Sequence, residues 1–158
     1  MKKKLLWLGV ICVASAFTYN ELYFSNAKAA DENERVQLGD LQIEVHSIAS
    51  HDKLVDGTGF IIEKPQSNNG EFVVIDATVT NTGLKQLELD AQLVYNLVTA
   101  DGAVYEPTAI PFDTFFGVEN INPKLSVTGQ VAFEVPAGLN DFELLIETNE
   151  MKSSVPLP

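Results

Sequence analysis

The sequence predicts an all-β protein whose short antiparallel strands form a sandwich. Three observations support this fold class: apolar residues alternate with polar ones at a period near two, the alternating blocks are short, and turn-forming residues separate them. Seven or more such blocks in the roughly 128 residues that follow the first thirty are typical of a β-sandwich.

The predicted strands follow one another along most of the chain. The block at 41–45 alternates strictly, and the block at 72–80 is rich in branched residues. Further strands are predicted at 87–89, 92–99, 104–105, 126–135 and 142–148. Glycine, asparagine, aspartate or proline marks the breaks, at 56–59, 68–70, 81–83, 101–102, 123–124 and 136–138.

One long segment, Pro107–Asn122, lacks this alternation. We predict a crossover there, with one helical turn near Asp113–Phe116. Its three phenylalanines, Phe112, Phe115 and Phe116, have two interpretations: they plug one end of the sandwich, or they form an apolar contact surface for a partner. If the domain binds a partner, an aromatic loop on a rigid scaffold is the expected place.

The first thirty residues are predicted to be a signal peptide. A short basic start precedes an apolar run at Leu5–Phe17, and small residues then allow cleavage after Ala29 or Ala30. The alternative is an uncleaved anchor, although this run of 13 residues is shorter than the roughly 18 to 20 that span a membrane. The prediction is therefore a signal peptide at 1–30 and one domain at 31–158, secreted or associated with the cell surface and not inserted in the membrane.

Cysteine usage and charge restrict the function classes. The single cysteine, Cys12, lies in the predicted signal, so the exported domain would have neither a disulfide nor a reactive thiol. The chain has a net charge of −12; cleavage would remove four of its 10 basic residues and one of its 22 acidic residues, leaving six against 21 and a charge near −15. Such a domain repels phosphates, so nucleic acid is not an expected partner.

The two ends of the predicted domain are expected to be short and flexible. Residues 31–37 are polar, and residues 151–158 combine two serines with prolines at positions 156 and 158. We interpret the first as a lead and the second as a frayed tail.

Three blocks of the sequence carry a family resemblance. Residues 72–83, which end in Asn81-Thr82-Gly83, residues 93–105 and residues 129–136 resemble, in this order, exported immunoglobulin-like domains of Gram-positive bacteria that are classed as a domain of unknown function. Those domains are similar in fold to the mycobacterial immunoprotective extracellular antigen. The resemblance implies an immunoglobulin-like antiparallel β-sandwich in which the 81–83 turn leads to an edge strand and Phe133 faces the core. It brings no catalytic residue with it.

The residues themselves do not predict catalysis. A serine hydrolase needs a serine, a base and an orienting acid, and neither His46 nor His51, the only two histidines, lies near a strained glycine elbow around a serine. We therefore expect no enzyme activity and no cofactor.

A metal site is the chemical alternative. His46, His51, Asp52 and Asp56 could gather at a strand end and offer imidazole and carboxylate ligands to zinc or copper. Their spacing is not diagnostic, and His46 alternates with Val45, so it is expected to face solvent.

The sequence thus predicts a noncatalytic binding domain whose partner is a protein, recognised through loops or an exposed strand edge. The candidate edge is Gln86–Asp90, whose acidic residues could equally guard against aggregation. The candidate contact residues are Phe112, Phe115 and Phe116. The extracellular metal-binding protein stays open as the alternative, and the sequence does not predict an oligomeric state.

Overall fold

The computed structural model describes residues 28–29, 34–55, 61–89, 93–108, 120–148 and 150–157. All regular secondary structure in this part of the chain is β-strand, and no helix there is long and apolar enough to cross a membrane. The strands are β1 (Lys28–Ala29), β2 (Arg35–Leu38), β3 (Leu41–His51), β4 (Leu54–Val55), β5 (Ile61–Glu63), β6 (Gly70–Asn81), β7 (Leu87–Glu88), β8 (Val94–Thr99), β9 (Val104–Tyr105), β10 (Pro107–Thr108), β11 (Asn120–Ile121), β12 (Ser126–Pro136), β13 (Phe142–Glu147) and β14 (Lys152–Leu157).

The strands form two main sheets and two short pairs. The larger sheet has the order β1–β3–β6–β12–β10, with β2 also paired to β3, and the smaller sheet has the order β14–β13–β8–β9. The short pairs are β4 with β5 and β7 with β11. All these pairings are antiparallel, which confirms the predicted antiparallel sandwich.

Alternation along β6 positions the core. Val73, Ile75, Ala77 and Val79 are completely or almost completely buried and belong to one large apolar cluster between the sheets. Phe133 of β12, directly opposite Val73, is fully buried in the same cluster, so the expectation that Phe133 faces the core is confirmed. Burying branched and aromatic side chains between two sheets is the main favourable term for such a fold.

The outer face of the larger sheet changes character along β6. At one end Phe72 and Val74 are buried in a second, smaller cluster with Leu54 and Ala132. At the other end hydroxyl groups line up across neighbouring strands, and Thr78 Oγ1 lies 2.7 Å from Thr128 Oγ1. The second cluster explains why β6 is apolar on consecutive positions at its start and alternates only towards its end.

The structure corrects the prediction of flexible ends. The C-terminal segment is not a frayed tail, because β14 pairs with β13 over six residues from Lys152 to Leu157. Part of the predicted lead is also ordered, since β2 begins at Arg35. Pro156 can stand in β14 because this strand lies at the edge of its sheet, where one row of backbone groups has no ladder to complete.

Two other predictions remain as they were. The helical turn near 113–116 lies outside the described residues. The signal peptide also stays a prediction, with one structural consequence: β1 falls within 1–30 and pairs with Ser47 and Ile48 of β3, so cleavage after Ala29 or Ala30 would remove a short strand from that edge.

The C-terminal strand should be part of the folding unit. Leu157 is only 5% exposed and packs in the main core, so Leu157→Ala should lower the free energy of unfolding by about 2–4 kcal/mol, through lost burial and a residual cavity. Urea unfolding followed by circular dichroism measures this change. Ser154→Ala is the matched control in the same strand, because Ser154 is exposed and its truncation should change stability by less than about 0.5 kcal/mol. Equal, small effects of both substitutions would contradict the pairing of β14.

Candidate binding groove

The structure does not test the aromatic loop. Phe112, Phe115 and Phe116 lie outside the described residues, as does Asp56 of the metal hypothesis. These residues stay predictions as partner contacts and as a metal ligand.

The two histidines lie on one strand and are not brought together. His46 and His51 are five residues apart in β3, and at about 3.3 Å per residue their backbones are roughly 16 Å apart. A single ion that binds imidazole nitrogens at about 2 Å cannot bridge that distance. Among the described residues there is no group of three or more histidine, cysteine, aspartate or glutamate side chains that could hold a metal.

Each histidine has its own surroundings. His46 is exposed, as predicted, and lies at a bulge where the pairing of β3 with β6 shifts between Val45 and Ser47. Its Nε2 is 2.7 Å from Thr78 Oγ1. His51 is half-buried opposite Phe72 at the apolar end of the outer face, and this burial lowers the pKa of its imidazole, partly offset by the nearby charge of Asp52.

A groove of about 260 Å³ opens at one end of the sandwich. Three parts of the chain meet there: the β2–β3 turn, residues 87–89 with Leu93, and the turn residues between β13 and β14 that the structure describes. The residues that line it are Leu38, Asp40, Leu41, Leu87, Glu88, Leu89, Leu93, Thr148, Glu150 and Met151. The candidate edge at 86–90 contributes Leu87, Glu88 and Leu89, but no prediction from the sequence placed them beside the two turns that complete the groove.

The floor of the groove is apolar and partly belongs to the core. Leu38, Leu41 and Leu89 are 3–6% exposed and are members of the main cluster, while Leu87 and Leu93 are half-buried and pack against it. Aliphatic side chains therefore continue from the core into an opening that solvent can reach.

Tight turns shape two walls. Gly39 in the β2–β3 turn has a φ of +57°, a left-handed conformation that favours glycine, and a Cβ there would lie 2.8 Å from Cε of Met151. Met151 thus packs directly over this turn. In the β13–β14 turn the Thr148 side chain accepts a hydrogen bond from the Met151 amide at 2.9 Å, which holds the backbone of Met151 in place.

A polar corner joins the β2–β3 turn to the segment that leads into β7. The Thr82 amide and hydroxyl donate to the Asp40 carbonyl at 2.8 and 3.0 Å. Gly83 comes so close to Asp40 that a Cβ at position 83 would clash with the Asp40 side chain. Glycine at this position therefore lets the two loops approach closely.

Asn81 holds this corner from inside. Its side chain is fully buried and donates to the carbonyls of Lys85 and Ile121 at 2.7 and 2.9 Å, while its Oδ1 accepts from the Gly83 amide at 2.9 Å. Its backbone amide donates to Leu125 and its carbonyl accepts from Lys124, each at 2.9 Å. One residue thus fixes the end of β6, the approach to β7 and the β11–β12 turn.

The rim of the groove is acidic. Asp40, Glu88 and Glu150 are exposed, and among the described residues that line the groove there is no lysine, arginine or histidine. The two ion pairs within the described residues, Arg35 with Glu44 and Lys152 with Glu147, leave all three rim carboxylates unneutralised. The groove thus combines an apolar floor with a negatively charged rim.

The sequence could not have identified this groove directly. Its leucines look like ordinary core residues of short strands, and its acidic residues come from separate turns, so no single motif contains the site. The signal that was present is the repeated placement of aspartate or glutamate next to leucine, as in Gly39-Asp40-Leu41 and Leu87-Glu88-Leu89.

The comparisons with known proteins identify a family and a fold. Residues 30–155 match the model of the family described as Domain of unknown function (DUF4352). A search of curated proteins gives no significant match.

Three solved structures illustrate the fold. A conserved hypothetical protein from Bacillus anthracis has a TM-score of 0.59 at 12% identity, over 84% of this chain and 97% of that one. An uncharacterized β-sandwich protein from Clostridium difficile has a TM-score of 0.53 at 13% identity, over 82% of this chain and 93% of that one. The secreted protein MPT63 from Mycobacterium tuberculosis has a TM-score of 0.51 at 18% identity, over 82% of this chain and 89% of that one. The family resemblance read from the sequence is thereby confirmed, and these identities establish a shared fold.

The half-buried imidazole of His51 should make stability depend on pH. Its pKa is lowered in the folded state, so as the pH falls through about 6.5 the unfolded chain takes up a proton before the folded one does, and stability is lost until the folded pKa is passed. Urea unfolding at pH 7.5, 6.5 and 5.5 should therefore show a smaller loss in His51→Gln than in the unaltered protein. His46→Gln, on the same strand, is the control and should keep the full loss; an unchanged pH dependence in His51→Gln would refute this account.

Proposed function

Because the chain belongs to the DUF4352 family, which has a fold but no assigned activity, we propose from its own geometry that it is a noncatalytic, exported binding domain that holds a protein partner in the end groove. The main support for this proposal is that the leucines on the floor of the groove belong to the core or pack against it. The partner would therefore meet a rigid apolar surface instead of an isolated exposed side chain.

The position of the groove supports a binding role. In immunoglobulin-like sandwiches the connections between strands cluster at the ends, where they can vary without disturbing the sheets. Here the turns that line the groove are held by the hydrogen bonds of Asn81, Thr82 and Thr148, so the binding surface is preorganised.

Export is part of the proposal. The N-terminal sequence has the order of a signal peptide, and one protein with the same fold, MPT63, is described as secreted. Both observations support a domain that acts outside the cell, either free or associated with the cell surface.

The site can be tested by cross-linking in the source cells, since the only natural cysteine is Cys12. In a Cys12→Ser background, Glu150→Cys carries a benzophenone label at the rim of the groove, and Glu143→Cys carries the same label on β13 away from it. Both replaced residues are exposed glutamates, so the two proteins are matched in charge.

We expect a cross-linked species from position 150 that excess unlabelled protein competes away, and none from position 143. Phe116→Cys examines the aromatic loop in the same way. Cross-links from position 116 without any from position 150 would move the site to the loop, and indiscriminate cross-linking from all three positions would contradict a defined binding site.

A further inference from the structure

The groove has a negatively charged rim and an apolar floor. Asp40, Glu88 and Glu150 surround it with no basic neighbour among the lining residues, and the whole chain adds a net charge of −12. An acidic segment or a phosphate group would be repelled here, whereas a lysine or arginine would be attracted. A second copy of this chain is disfavoured for the same reason, because it would bring its own negative charge to the rim.

The size of the groove indicates what enters it. Its volume of about 260 Å³ lies just below the roughly 300–1,000 Å³ of sites that enclose a whole drug-sized molecule, so it suits one or two large side chains. Met151, which is 41% exposed at the opening, is a flexible apolar side chain that can adapt to different shapes.

Backbone groups beside the groove favour an extended peptide. β7 lines the groove and, in the part of the chain that the structure describes, pairs with β11 along one edge only. An extended segment can hydrogen-bond to such an edge while its alternate side chains enter the neighbouring groove.

We propose that the groove binds an extended segment of a partner protein in which a large aliphatic or aromatic side chain is flanked by lysine or arginine. This inference rests on the proposed function. The apolar side chain packs against the half-buried Leu87 and Leu93 and the exposed Met151, above the buried leucines of the floor, and the flanking cations lie near the rim carboxylates. Specificity comes from requiring both an apolar side chain and a cation, because a segment with only one of them contacts either the apolar floor or the acidic rim, not both.

The test uses three fluorescein-labelled hexapeptides with the purified full-length protein, measured by fluorescence anisotropy. The first alternates lysine with leucine, the second glutamate with leucine, and the third lysine with serine. Saturable binding is expected for the first peptide and at least about tenfold weaker binding for the other two. Raising NaCl from 50 to 500 mM should weaken the first peptide further, because the rim charges are exposed and screened by salt.

Two sets of variants separate the parts of the site. Asp40→Asn with Glu88→Gln and Glu150→Gln should weaken the lysine–leucine peptide by about tenfold or more, because three exposed charge pairs are lost. The control replaces three exposed glutamates outside the groove, Glu63, Glu106 and Glu143, by glutamine, and should leave the affinity within about twofold. Met151→Lys, which keeps an aliphatic stem but adds a positive charge at the opening, should also weaken this peptide. Unchanged circular dichroism and thermal midpoints show that each variant is folded.

The outcomes distinguish the preference for a cationic segment from the proposal that the groove binds a protein partner. If the glutamate–leucine peptide binds as well as the lysine–leucine peptide, and Met151→Lys does not weaken the latter, the cationic preference is wrong, although cross-linking at position 150 can still establish the groove as a binding site. Equal effects of the rim and control triple variants would show that only the overall charge matters and would overturn the proposed site.

Discussion

The buried side chain of Asn81 is the interaction on which this architecture depends. A buried amide costs free energy unless its donors and acceptor are paired, and here both hydrogens and the oxygen find backbone partners, two of them between β6 and β7 and one in β11. Because the Asn81 side chain pairs with those backbone groups, the chain can leave the central strand β6 and turn sharply without leaving them unpaired. A hydrophobic residue of similar size could fill the space but could not replace these bonds.

The groove follows from that corner. Asn81 fixes the position of Gly83, Thr82 then ties the same turn to the Asp40 carbonyl, and the absence of a side chain at Gly83 allows the β2–β3 turn to approach. Leu38, Leu41 and Leu89 remain part of the core beside these contacts, while Leu87 and Leu93 are only half-buried and line an opening above them. The same polar contacts that complete the fold thus leave an apolar surface open, and the carboxylates at its rim give that surface a preference for positive charge.

Much of the fold could be predicted because its signals are local. Alternation at 41–45 and the branched residues at 72–80 identified the two neighbouring central strands, and the turn chemistry of Asn81-Thr82-Gly83 identified the corner. The strand β14 was missed because Val155 and Leu157 are its only buried residues, among serines and prolines, and its strand conformation comes from pairing with β13. The groove was missed for a related reason: it exists only where three separate turns meet. The spacing of His46 and His51, in contrast, could have argued against a shared metal ion once both were assigned to a single extended strand.

The most direct measurement is the free energy of unfolding of Asn81→Ala beside that of Asn122→Ala. Removing the Asn81 amide leaves the buried backbone groups of Gly83 and Ile121 and the partly buried carbonyl of Lys85 without their partner, so we expect a loss of about 2–4 kcal/mol. Asn122 is exposed and accepts one hydrogen bond from Gln86 at 3.0 Å, so its truncation should cost less than about 1 kcal/mol. If the two substitutions cost the same, the corner does not hold the structure together and the account of the groove built on it is wrong.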